Sequence, residues 1–177
     1  MKKLKPFYLL LFTLILVSCD DSDDVTQIDF NQTITTALDV DITEDSNGQP
    51  LSFTADETID FTTVQEIQDN IDEIQDATID ALSYEVDNFV GAANTTVTSA
   101  SINFNGTTIQ VSNINLEQAD NNDTIFSVDD PAALTAIENA LQNDTQATVT
   151  LSGNIDSAPA SFDVIIYLDV IITSSLN

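Results

Sequence analysis

The side chains of this chain that can do acid–base or metal chemistry are almost all carboxylates. The 177 residues include 30 Asp and Glu, one Cys and no His, and the three basic residues are Lys2, Lys3 and Lys5. Beyond Lys5, therefore, no side chain can form a salt bridge with a carboxylate. Nucleophilic catalysis of the Ser-His-Asp or Cys-His kind needs a histidine, so the composition excludes it. Cys/His zinc sites are excluded for the same reason.

Paired carboxylates alone are enough for glycoside hydrolysis, so the composition does not exclude that reaction. Such sites normally stack sugars on aromatic side chains, and this chain has no Trp and only three Tyr. We therefore expect a non-enzymatic protein without catalytic residues. A carboxylate-dependent hydrolase, such as a glycosidase, is the alternative.

Calcium is the metal that best suits this composition, because it binds six to eight oxygen ligands. Asp120 and Asp123 flank two asparagines and are the candidate calcium ligands. An EF-hand frame around Asn47-Gly48 would place Thr43 first and Thr54 twelfth, which are the wrong ligands. We expect no other cofactor.

Nucleic acid is excluded as a partner, because its phosphates are bound by basic patches and this chain has none. Anionic lipid headgroups would also repel such an acidic surface. Any attachment to a membrane must then come from something other than side-chain charge.

The N-terminus has the pattern of a secretion signal. A basic start is followed by an apolar run from Phe7 to Val17 and by the small residue Ser18. This run is too short to span a bilayer, which takes about 20 residues. The tetrapeptide Leu16-Val17-Ser18-Cys19 resembles the lipobox of bacterial lipoproteins. The resemblance implies cleavage before Cys19, a diacylated cysteine at the new N-terminus, and a formal net charge that changes from −27 to −30.

The residues after Cys19 form an acidic run, Asp20-Asp21-Ser22-Asp23-Asp24. This run resembles the export signal of Bacteroidetes-type surface lipoproteins, which implies an anchored position on the outer face of the outer membrane. Two triplets, Asp123-Thr124-Ile125 and Asp156-Ser157-Ala158, are similar to the O-glycosylation pattern of exported proteins of the same kind, with Thr124 and Ser157 as acceptors. We divide the chain into a signal peptide (1–18), an acidic tether (19–26) and one domain (27–177).

Most of the domain has the two-residue hydrophobic period of β-strands. Ile28 to Ile42 alternates throughout and predicts one bent strand or two, followed by a turn and a short strand at Leu51 to Phe53. Further strands are predicted from Ala81 onward and at four other segments. These are Thr95–Phe104 and Thr107–Leu116, joined by an Asn105-Gly106 hairpin turn, then Ala147–Ile155 and Ser161–Thr173. The last strand is apolar on both faces from Val164 to Leu168, which predicts a central position.

Two segments have a helical period instead. The first starts near Thr62 and carries Val64, Ile67, Ile71 and Ile74 on one face. The second starts at Pro131, capped by Asp129 or Asp130, and turns Leu134, Ile137 and Leu141 inward. Asp120 to Asp123 is predicted to be a loop.

These elements predict a mainly β protein, an antiparallel β-sandwich-like domain with two short amphipathic helices. An α+β fold with both helices on one face of an antiparallel sheet is the alternative. The functional expectation is a surface-tethered envelope lipoprotein with a binding or assembly role. Its partners would be the membrane, through the lipid on Cys19, and an envelope protein or glycan.

Overall fold

Two antiparallel sheets face each other across one apolar core. The computed structural model describes residues 26–43, 47, 49–69, 72–143 and 146–176. The first sheet has the strand order β1-β9-β3-β7, and the second has the order β2-β8-β4-β5, with β6 paired to β4. The strands are β1 (Thr26–Ile42), β2 (Leu51–Asp60), β3 (Ile74–Gly91), β4 (Thr96–Phe104), β5 (Thr107–Val111), β6 (Ile114–Asn115), β7 (Phe126–Ser127), β8 (Gln146–Ile155) and β9 (Ala160–Leu176).

In the described part of the chain, four helical segments connect the strands. They are a 3₁₀ turn at Phe61–Thr63, then α1 (Gln65–Asp69), α2 (Leu116–Asn121) and α3 (Pro131–Asn143). Among the described residues no helix is both long and apolar enough to cross a lipid bilayer.

The core consists of the inward side chains of both sheets. The rings of Phe53 on β2 and Phe162 on β9 meet edge to face, with centroids 5.6 Å apart. Val149 and Leu168, on opposite sheets, are fully buried. The predicted mainly β, sandwich-like fold with short helices is thereby confirmed.

Three local predictions are also confirmed. Asn105 and Gly106 have φ angles of 45° and 100° and close the β4–β5 hairpin, as an Asn-Gly type I′ turn requires. Helix α3 begins at Pro131, and its cap is Asp130, whose Oδ1 accepts the N–H groups of Ala132 and Ala133 at 2.9 and 3.2 Å. Strand β9 is central, between β1 and β3.

The predicted helix from Thr62 to Ile74 is wrong in extent. Helix α1 ends at Asp69, and Ile74 is the first residue of β3, where it pairs with Ser174. Ile71 lies outside the described residues. Strand β9 continues to Leu176 and offers hydrogen-bonding partners to the segment before Ala81. Tertiary pairing therefore overrides the local helical period, and β3 starts seven residues earlier than predicted.

The predicted strand from Thr107 to Leu116 is interrupted. Strand β5 ends at Val111, and Asn113, with a φ of 59°, turns the chain before β6. The side chain of Asn115 then accepts the N–H of Gln118 at 2.8 Å and caps α2, which the sequence analysis missed. Asp120 consequently lies in this helix rather than in a loop.

The short strand predicted at Leu51 to Phe53 continues to Asp60. It pairs with β8 without a break, from Leu51 opposite Ile155 to Asp60 opposite Gln146. Only Phe53 and Ile59 are buried along it, so its apolar alternation is weak in the sequence. The first alternating segment is a single strand that begins at Thr26.

Candidate functional site: two contrasting sheet faces

The structure does not bring the candidate calcium ligands together with a third carboxylate. Asp120 is half-buried at the end of α2, and Asp123 is exposed in the following turn with a φ of 46°. Their contact is between backbone groups, since the Asp123 N–H donates to the Asp120 carbonyl at 3.1 Å. Within the described part of the chain, no three Asp, Glu, His or Cys side chains are arranged to share a metal ion.

The two candidate glycosylation acceptors lie in connections between elements. Thr124 follows α2 and is half-buried, with its N–H donating to the Ala119 carbonyl at 3.0 Å. Ser157 is half-buried between β8 and β9, beside Asp156, whose Oδ1 accepts the Thr96 N–H at 2.8 Å. The lipidation residue, Cys19, lies outside the described residues.

The outer face of the first sheet is acidic. Its cross-strand pairs join carboxylates to hydroxyls at two positions. Thr33 donates to Asp169 Oδ1 at 2.6 Å, and Thr173 donates to Asp29 Oδ1 at 2.7 Å. These contacts match the backbone register, in which Thr33 faces Asp169 and Asp29 faces Thr173. In each pair the threonine hydroxyl donates a hydrogen bond to the carboxylate, where a lysine or arginine would form a salt bridge in a protein with basic side chains.

A different arrangement occurs near the other end of the same face. Asp39, Asp163 and Asp87 occupy one row across β1, β9 and β3, and we call them the carboxylate row. A β-bulge after Asp87 brings the side-chain amide of Asn88 to the row. This amide donates to Asp163 Oδ2 at 2.8 Å and to Asp87 Oδ2 at 3.2 Å. Like charges directly opposite each other destabilise a sheet. The carboxylate row is therefore electrostatically unfavourable when its side chains are charged.

The row raises the pKa of the Asp39 carboxyl above its ordinary value of 3.8. The main cause is the hydrogen bond with Asp163, followed by the negative charge of Asp163 and, more weakly, that of Glu57. Next to the row, the Tyr167 hydroxyl donates to Glu85, and this hydrogen bond raises the pKa of Tyr167. The acidic face therefore holds protons more tightly at these two positions than isolated side chains would.

The outer face of the second sheet is mostly neutral. Its central strands present hydroxyl and amide side chains that bond to one another across the sheet. Ser101 and Ser152 are 3.0 Å apart, and the Asn103 amide donates to Thr108 at 2.9 Å. The carboxylates on this face belong to β2, at Asp56 and Asp60.

The Asp60 carboxyl has a pKa below its ordinary value of 3.8. The first cause is a hydrogen bond from the Thr62 hydroxyl, and the others are bonds from Gln146 and from the Thr62 N–H.

A shallow depression of about 330 Å³ lies at the centre of the neutral face. It surrounds Gly153 and is lined mainly by small polar side chains, among them Ser99, Ser101 and Ser152. A Cβ at Gly153 would lie 2.7 Å from the Ser99 carbonyl and 2.7 Å from the ring of Phe53, so no larger residue fits without a shift. The close approach of β8 to β4 therefore depends on this glycine.

A groove of about 440 Å³ lies at the β7 side of the first sheet. It contains two carboxylates, Asp80 and Asp129, and its lining includes the aliphatic side chains of Leu82, Ile125 and Leu134. Ile125 is 60% exposed at this groove. Tyr and Phe are absent from its described lining, so it offers no aromatic platform for a sugar ring.

Sequence patterns do not reveal the carboxylate row. Alternation identifies Asp39 and Asp87 as outward-facing residues of their strands, whereas the strand that carries Asp163 is apolar on both faces just after it. Alternation does not show that three distant strands bring these residues into one row, because that depends on the register.

Comparison of the chain with protein-family models, with curated proteins and with solved structures gave no match.

Proposed function

We propose that this protein is a non-enzymatic lipoprotein of the bacterial envelope, anchored through Cys19 to the outer membrane and exposed at the cell surface. In this proposal the β-sandwich acts by binding another component of the envelope. The observation that carries the proposal is the leader, in which a basic start and an apolar run end at Leu16-Val17-Ser18-Cys19.

The use of the only cysteine supports this proposal. A secreted chain with one thiol cannot form an internal disulfide, so the residue calls for another role. Attachment of several acyl chains gives stable membrane anchoring, whereas one chain binds only marginally. Acylation of Cys19 therefore accounts both for the cysteine and for the attachment of an acidic chain to a membrane.

The position of β1 fits a short tether. The strand begins at Thr26, seven residues after Cys19, and seven extended residues reach at most about 25 Å. The domain would then stand just above the headgroups, which its own negative charge would not attract.

The two outer faces of the sandwich support a binding role. One presents carboxylates to cationic groups, and the other presents hydroxyl and amide groups that suit hydrogen-bonded contacts. Both are broad, open surfaces formed by regular strands rather than by loops, so a partner would meet side chains at fixed spacings.

The test of the anchor is metabolic labelling with a radioactive fatty acid in cells that express the wild-type chain, Cys19→Ser, or the neighbouring control Ser22→Ala. We expect label in the wild type and in Ser22→Ala, and none in Cys19→Ser. The Cys19→Ser chain should also keep its leader, which mass spectrometry would detect. Equal labelling of Cys19→Ser would contradict the proposal.

A further inference from the structure

The β3 edge of the first sheet is covered by the segment around β7 and by side chains of α3. On the β3 edge, the Val128 N–H donates to the Leu82 carbonyl at 2.9 Å. Farther along, Glu138 Oε1 of α3 accepts the Ile79 N–H at 3.0 Å, and Gln142 Nε2 donates to the Ala77 carbonyl at 3.3 Å. These contacts occupy backbone groups that another strand could otherwise bind.

The opposite edge of this sheet is β1, and the register shows which of its backbone groups face outward. In an antiparallel strand, successive residues direct their N–H and C=O groups to opposite neighbours. The Leu82 carbonyl points to β7, so Ser83, Glu85 and Asp87 bond to β9. The odd-numbered residues of β9 therefore bond to β3, and its even-numbered residues bond to β1.

It follows that the even-numbered residues of β1 bond to β9 and the odd-numbered ones face away from it. The β1–β9 register is unbroken from Thr26 opposite Leu176 to Ile42 opposite Ala160, so this assignment holds along the whole strand. Between Asp29 and Asp39, six residues present their N–H and C=O groups at the free edge. They are Asp29, Asn31, Thr33, Thr35, Ala37 and Asp39.

This stretch of free edge is about 34 Å long at 3.4 Å per residue. None of the described residues hydrogen-bonds to these backbone groups. Proline, lysine and β-bulges are among the usual means of protecting an edge, and β1 contains none of them. Its charged side chains are aspartates, which repel an acidic strand and attract a cationic one. Strand β2 and the end of β1 line a common groove at Val40 to Ile42, beyond this stretch.

We propose that the free edge of β1 is a docking site for an extended, cationic segment of a partner protein, which adds to the sheet as a further strand. The inference deepens the proposed binding role and rests on it. Backbone hydrogen bonds would supply affinity in this mode, and side chains that alternate along the added strand would supply specificity.

The charge of the edge selects the partner. Asp29 and Asp39 lie ten residues apart along the free edge, with Thr33 and Thr35 between them. Asp163 and Asp169 on β9 add negative charge behind them. Basic side chains on the added strand would lie beside Asp29 and Asp39, and β-branched side chains would pack between. The described residues contain no Lys, Arg or His, so the cations must come from the partner.

A second copy of this chain does not fit the edge as well. An antiparallel pair of β1 strands centred on Ile34 would place Asp29 opposite Asp39 of the other copy, and the reverse. Like charges directly opposite each other destabilise a sheet, and two acidic chains also repel each other as a whole.

The probe for this site is an eleven-residue peptide with lysine at both ends and alternating valine and threonine between. The two lysines are ten residues apart, as are Asp29 and Asp39, so the peptide matches the edge in either direction. Its binding to the protein, purified from cells in non-ionic detergent, is measured by fluorescence anisotropy at low salt. The control peptides carry glutamate in place of lysine, or N-methyl groups at alternate residues on the edge that would face β1.

Thr35→Pro is the informative variant, because it removes an N–H from the free edge. Thr36→Pro is the matched control, because its lost N–H belongs to the pairing with β9. We expect Thr35→Pro to weaken peptide binding about five- to tenfold with little change in melting temperature. Thr36→Pro should instead lower the melting temperature.

The proposal predicts that the unmethylated lysine peptide binds and that both control peptides bind much more weakly. It is overturned if methylated and unmethylated peptides bind equally, if the glutamate peptide binds as well as the lysine peptide, or if no binding occurs below about 1 mM. Dimers that Thr35→Pro abolishes would show that a second copy is the occupant, and would also overturn it. These results do not depend on acylation of Cys19, so a failure here is distinguishable from a failure of the anchor.

Discussion

Asp39 and Asp163 lie directly opposite each other on β1 and β9. A protonated Asp39 can donate a hydrogen bond to Asp163, whereas two charged carboxylates at this spacing repel each other. Both effects favour the protonated form of Asp39, so its pKa is raised above 3.8. In a chain without basic side chains beyond Lys5, no lysine or arginine offsets the repulsion of such a pair.

We predict that Asp39→Asn stabilises the protein at neutral pH. A pKa that is raised in the folded state contributes stability below the unfolded value, and this contribution is lost as the pH rises through the folded value. Asparagine removes the repulsion that appears above that range, so the melting temperature should rise at neutral pH and match the wild type below about pH 3.8. Asp41→Asn is the control, because Asp41 faces Ser161 instead of a carboxylate. An equal gain from both substitutions would contradict the role of the row.

We predict that salt raises the melting temperature of the whole protein. The formal charge is −27, the proposed cleavage before Cys19 would make it −30, and no basic side chain beyond Lys5 relieves the repulsion. The screening length falls from about 10 Å at 0.1 M salt to about 3 Å at 1 M, so sodium chloride should stabilise the folded state. Millimolar calcium should add to this effect when the ionic strength is held constant. A melting temperature that stays flat over this range of salt would show that the acidity is not a salt adaptation.

We predict that the acidic run after Cys19 directs the protein to the cell exterior. Replacing Asp20, Asp21, Asp23 and Asp24 by alanine should move the protein to the inner leaflet of the outer membrane. Exposure can be measured by digestion of intact cells with an Asp-directed or broad protease, since trypsin has no site beyond Lys5. The matched control replaces the same four residues by glutamate and should remain exposed. Unchanged exposure of the alanine variant would reduce the run to a plain tether.

We predict that Glu138→Ala destabilises the fold although Glu138 is only half-buried. Its Oε1 accepts the N–H of Ile79, a residue that is 5% exposed, and alanine would leave this N–H without a partner. The expected loss is about 1–3 kcal/mol in the free energy of unfolding, measured by urea denaturation. Glu138→Gln keeps an acceptor oxygen at this place and should lose less. A smaller loss in the alanine variant than in the glutamine variant would show that the hydrogen bond between Glu138 and Ile79 does not stabilise the edge of β3.

Only part of the candidate surfaces could be predicted from the sequence. The alternation in β1 identified Asp39 as outward-facing, and the same holds for Asp87 on β3. Their meeting with Asp163 depends on two separate registers, including the bulge after Asp87. A shift of two residues in either register would keep every side chain on the same face of the sheet. The three carboxylates would nevertheless no longer lie in one row.

What the sequence determined by itself is local. A two-residue period sets the faces of a strand, Asn105-Gly106 sets a turn, and Asp130-Pro131 starts a helix, because each depends on neighbouring residues along the chain. The tertiary structure decided the rest. Ile74 joined a strand because β9 offered it partners, and α3 covered the edge of β3 while the edge of β1 stayed open. Backbone hydrogen bonds between strands join residues far apart in the chain, and local patterns carry no information about which of them will meet.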